Sequence, residues 1–80
     1  MERNTYYVNN KGSYSEFCEE IQDYLPKCHK ILVNGVAVTD ISGLSNLQTD
    51  ATISLCIPRW TINIYYSHWQ QLITVDYLSV

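Results

Sequence analysis

The sequence predicts an α+β domain in which one amphipathic helix packs on a mostly antiparallel sheet of four to six strands. Three observations lead there. Residues 14 to 25 carry apolar side chains at helical spacing, residues 52 to 77 alternate with a period of two, and Asn34-Gly35 separates two short β-prone runs. A chain of 80 residues has room for one domain, 1–80, and one small core.

The first element is a short strand centred on Thr5-Tyr6-Tyr7-Val8, ended by the turn signal Asn9-Asn10-Lys11-Gly12. Ser13 and Glu16 then stand at capping-box spacing, so the helix is expected from about residue 14. Phe17, Ile21, Tyr24 and Leu25 form its apolar stripe, with Tyr14 and Cys18 beside them. Glu16, Glu19, Glu20 and Asp23 fall on the expected outer face. Pro26 stops it, because proline lacks the N–H that would continue the helical ladder.

From Lys30 the period changes. Lys30–Val33 and Val36–Thr39 read as a hairpin around Asn34-Gly35. Ile41, Leu44 and Leu47 follow three apart and are expected to tuck inward on a short 3₁₀ turn. Strands are then expected over 52–57, 60–66 and 72–77. The two residues between the first pair leave room only for a tight turn, so an antiparallel meander is the accessible geometry.

Lys30–Gly35, Asp40, Leu44, Leu47 and Ala51–Ile57, preceded by the amphipathic helix, form an ordering that resembles ubiquitin-like β-grasp domains over residues 14–58. The resemblance implies a variant β-grasp. Such domains place a full hairpin before the helix, whereas residues 1–13 supply one short strand, and the hairpin 60–77 is a candidate replacement. The chain reads Tyr77-Leu78-Ser79-Val80 where the family has a diglycine tail, so conjugation to other proteins is not expected.

Composition narrows function by exclusion. Five Lys and Arg stand against eight Asp and Glu, for a net charge of -3, which argues against a nucleic-acid phosphate footprint. Three cysteines at irregular spacing, Cys18, Cys28 and Cys56, fit neither a disulfide framework nor a C-x₂-C metal site, so reduced thiols are expected. The polar opening residues suggest no signal peptide, and no apolar run is long enough to span a membrane. A cytoplasmic or nuclear setting is the corresponding expectation. Cys18, Cys28, His29, Cys56 and His68 are the soft metal ligands available, at spacings that form no recognised site. Glycine-rich phosphate loops are absent, and a pocket of about 300 Å³ or more is not expected in so small a core. No catalytic residue, cofactor, metal or small-molecule substrate is expected.

What stands out is seven Tyr and two Trp against one Phe, with five of these ten between Trp60 and Tyr77. Large apolar rings with a polar atom suit surfaces that are wet alone and dry in a complex. A non-catalytic protein-binding module is therefore expected, and size and the Tyr- and Asn-rich make-up suggest an accessory or viral protein acting on a host factor. The alternatives are a structural subunit stable as a homodimer or in a larger assembly, and a minor nucleic-acid-associated role. The expected partner is another protein or a second copy of this chain. Its binding surface is placed at Arg59, Tyr65, His68, Trp69, Leu72, Thr74 and Asp76, along a final strand read as an unguarded edge.

Overall fold

The computed structural model describes residues 2–39 and 48–79. The expected 3₁₀ turn at 41–47 lies outside the described residues. The elements run β1 (Glu2–Tyr7), α1 (Lys11–Tyr24), a 3₁₀ turn over Leu25–Lys27, β2 (Lys30–Val33), β3 (Val36–Val38), β4 (Ala51–Ile57), β5 (Trp60–Ser67) and β6 (Leu72–Ser79). The strands form one six-stranded sheet in the order β1-β6-β5-β4-β2-β3, and every neighbouring pair is antiparallel. The α+β expectation holds, with α1 packed on one face.

The helix begins earlier than the capping box suggests. Asn10 is the cap, its Oδ1 accepting from the Ser13 N–H at 3.0 Å. Ser13 instead turns its hydroxyl to the Tyr7 N–H, at 2.8 Å, and so ties the end of β1 to the first helical turn. The apolar phase is unaffected by this shift. Phe17 and Ile21 are buried, Tyr14, Tyr24 and Leu25 pack against the core at its margin, and Cys18 is exposed.

The two periodicities meet in the core. Ile53, Leu55, Ile62, Ile64, Ile73, Val75 and Tyr77 come from the helix-facing rows of β4, β5 and β6, joined by Ala51, Tyr66 and Tyr6. In one row Ile53, Ile64 and Val75 lie side by side across three strands, beneath the helix. The tight turns follow their residues. Asn34 and Gly35 both take positive φ, as the two-residue hairpin turn between β2 and β3 requires. Arg59 takes φ 71° in the turn between β4 and β5, a left-handed position rare for a side chain of its size.

One expectation is overturned here. The final strand is interior: β6 is paired along Leu72–Tyr77 with β1 and along its whole length with β5. The sheet edges among the described strands are β1 and β3. The reason lies in residues 2–4, which extend β1 beyond its obvious β-prone run. They place Arg3 opposite Asp76, giving the one charge on the inner part of β6 a partner.

Candidate protein-binding surface and the helix-side cleft

Among the described residues, helix α1 covers one face of the sheet and no element covers the other. Alternation sends Arg3, Thr5 and Tyr7 of β1, Leu72, Thr74, Asp76 and Leu78 of β6, and Thr61, Asn63 and Tyr65 of β5 to that open face. Antiparallel sheets tolerate such a wet face when it is largely polar. Threonines and a Ser54–Asn63 side-chain hydrogen bond of 3.1 Å supply much of the polarity here. Superimposed on it are large rings. Tyr7 is 52% exposed and Tyr65 42%, and they flank Leu72 and Thr74 of the strand between them. At the same end of the sheet, the four-residue turn between β5 and β6 carries Trp69, which is 94% exposed.

The expected surface residues separate into three groups. Tyr65, Leu72, Thr74 and Asp76 share the open face, and Trp69 stands in the adjoining turn. His68 is in that turn, yet its ring Nδ1 pairs with the hydroxyl of buried Tyr66 at 2.9 Å. Gln71 bonds both groups and the His68 carbonyl, and the His68 N–H donates to Asp50 at 2.8 Å. His68 therefore braces the turn on the helix side. Arg59 lies in the turn at the other end of β5, about 25 Å of strand away from Trp69. It does not stand beside Tyr65 and Trp69 as expected. Tyr7 is absent from the expected surface, because the pairing of β1 with β6 that sets it beside Leu72 has no local signal.

Asp76 is only 5% exposed despite facing the open side. Arg3 grips it with two bonds, Nε to Oδ1 at 2.6 Å and Nη2 to Oδ2 at 2.9 Å. The guanidinium holds the Asp76 carboxyl below the usual carboxylate range, against the opposing effect of burial. This pair anchors β1 to β6 and ties the Asp76 carboxylate into the sheet.

The helix side holds a second feature. A cleft of about 620 Å³ lies between the C-terminal part of α1 and the ends of β4, β5 and β6. Glu20, Tyr24 and Lys27 line it from above, and Ile57, Trp60, Ile62, Tyr77 and Ser79 from the sheet. This corrects the expectation that a pocket of such size has no place in the molecule. It forms at the margin of the core, where the helix ends before the strands do.

Glu20 is also misplaced by the sequence reading. It follows Phe17 by three residues and precedes Tyr24 by four, so it flanks the buried stripe instead of joining the outer acidic face. Its carboxylate accepts from the hydroxyls of Tyr6 and Tyr77 and from Asn4 Nδ2, the last at 3.2 Å. Burial, then these bonds to Glu20, push the Tyr6 hydroxyl up to about 12 and raise that of Tyr77 as well.

The thiols are free: Cys18 is exposed, and Cys28 and Cys56 are half-buried. Burial, with Cys56 nearby, raises the Cys28 thiol, whose Sγ lies 3.5 Å from the Tyr24 carbonyl oxygen. Among the described residues no three His, Cys, Asp or Glu side chains converge as metal ligands. None of the described helices is long and apolar enough to cross a membrane. Compared with family models, curated proteins and solved structures, the chain matches none of them.

Proposed function

We propose that this chain is a small non-catalytic module that binds another protein through the open face of its sheet, at the end formed by β1, β6 and the β5–β6 turn. The observation that carries the reading is the grouping of Tyr7, Tyr65 and Trp69 as exposed rings around Leu72 and Thr74. Rings of this kind, rigid and amphipathic, anchor interface hot spots, while the surrounding threonines form a polar rim. Asp76 and His68 leave the set of contact residues and join the scaffold, and Arg59 leaves it because it lies at the other end of β5.

Charge supports a protein over a nucleic acid. Arg3, the cation closest in register to the aromatic group, is committed to Asp76, and the chain has a net charge of -3. A homodimer is the second reading, favoured by the place of β1 at a sheet edge among the described strands. The β-grasp likeness stands beside both as a proposal, resting on α1 followed by β2, β3 and β4 packed as neighbours. A viral or accessory setting in the cytoplasm or nucleus belongs to the same proposal.

Native affinity capture, combined with light scattering of the purified chain, tests the reading. A stoichiometric partner lost on Tyr65→Ala or Tyr7→Ala supports the module. A dimer that those substitutions dissociate supports the second reading. Capture or dimerisation unaffected by both moves the interface elsewhere, the exposed acids Glu16, Glu19 and Asp23 of α1 being the next surface.

A further inference from the structure

The helix-side cleft has a chemistry of its own, independent of the open face. Its walls include three large rings, Tyr24, Trp60 and Tyr77. The Tyr24 and Tyr77 rings lie 5.9 Å apart and are tilted by 53° to each other. Trp60 stays 49% exposed, although Ile62, Ile64 and Tyr66 on the same side of β5 are buried. Glu20 lies on the same lining. An ionised carboxylate offers about four acceptor sites. Three donors are accounted for, from Tyr6, Tyr77 and Asn4, so Glu20 retains acceptor capacity together with its charge.

A cation already rests at this site. Lys27 Nζ lies 5.9 Å from the Tyr24 ring centroid, and among the described residues Lys27 forms no ion pair. The ring, and not a carboxylate, is what the ammonium meets. We propose that the cleft binds a methylated ammonium group, as carried by a methylated lysine side chain or a choline headgroup, with Tyr24, Trp60 and Tyr77 as walls and Glu20 as counter-charge. Ring faces attract such a cation electrostatically, and its methyl groups suit apolar surroundings. A bare ammonium fits less well, since its three N–H donors would find little spare acceptor capacity. An anionic ligand would be repelled by Glu20. Lys27 then acts as a built-in competitor for the Tyr24 ring, released when the ligand enters.

The test follows the indole N–H resonance of Trp60 by NMR on the whole chain. The probes are a short peptide with one trimethyl-lysine, the same peptide unmethylated, and phosphocholine. The expected result is a saturable shift of Trp60 with the trimethylated peptide. The unmethylated peptide should bind at least about fivefold more weakly and Lys27→Ala should tighten binding severalfold, while Trp60→Leu, which removes that resonance and is therefore followed by isothermal titration calorimetry, should abolish it. Phosphocholine binding as tightly as the peptide would point to a headgroup source, and much weaker binding to a protein source. Both variants alter exposed side chains, so circular dichroism should match that of the wild type. Should Trp60→Leu fail to fold, Lys27→Ala carries the test alone. An unmoved Trp60, equal affinity for both peptides, or unchanged affinity in Lys27→Ala would overturn the proposal.

Discussion

Glu20 shows how one side chain can organise a margin of the core. It draws the hydroxyls of Tyr6 on β1 and Tyr77 on β6 to a single carboxylate on α1. Hydrogen bonds to a charged group contribute about 1.5–3 kcal/mol, so Tyr77→Phe should lower stability by roughly that amount at neutral pH. The same cluster sets an alkaline limit. In the unfolded chain a tyrosine ionises near ~10. Folded Tyr6 keeps its proton to about 12, and Tyr77 is raised too. Between those values the folded state holds protons that the unfolded chain has lost. Stability is therefore complete below pH ~10 and falls as pH rises towards about 12. Denaturation midpoints across that range should fall more steeply for the wild type than for Tyr6→Phe.

The Arg3–Asp76 pair predicts the opposite limb. Because Arg3 lowers the Asp76 pKa, its contribution is present above the unfolded carboxylate value of ~3.9 and is lost as pH falls through the lower folded value. Wild type should exceed Arg3→Gln in denaturant midpoint near neutral pH, and the gap should close in strong acid. A gap that stays constant with pH would assign the effect of Arg3 to packing alone. Neither cluster was legible beforehand. Their members are 14 to 73 positions apart, and the register of β1 against β6, with α1 packed over it, brings them together.

The elements were more open to reading. Alternation at 52–57 and 60–66 appears as β4 and β5, with Ile53, Leu55, Ile62 and Ile64 buried and Trp60 half exposed at the strand start, because period-two burial is a local property. The helix stripe was legible for the same reason, and Phe17 and Ile21 are its buried residues. Ile21→Ala removes methylene groups from a site 2% exposed and should cost about 2–4 kcal/mol. Glu19→Gln, on the exposed side, should cost under about 0.5 kcal/mol. Chemical denaturation that ranks these variants the other way would reject the packing of α1. Its start was misread because two good caps compete: Asn10 wins the Ser13 N–H, while Ser13 is drawn to Tyr7. Burial of β6 was missed because strand order is a long-range property. A segment rich in Ile, Val and Tyr looks alike at an edge and in the middle.

At the scale of the whole molecule, helix α1 divides the sheet, among the described residues, into a covered face and an open one. Aromatic enrichment near the C-terminal hairpin was visible in composition, and strand alternation and the turn position pointed to the exposure of Tyr65 and Trp69. Which rings gather was not visible, since Tyr7 arrives from the other end of the chain through β1. The proposed binding role rests on that gathering. The most direct test is competition for the partner recovered by native capture, or for the second copy if the chain self-associates. Folded Tyr7→Ala, Tyr65→Ala and Trp69→Ala variants would be compared with Glu19→Gln as a control. The account predicts that at least two of the aromatic variants lose about 2 kcal/mol or more of binding while the control competes like wild type. Aromatic variants that compete as well as wild type would contradict it.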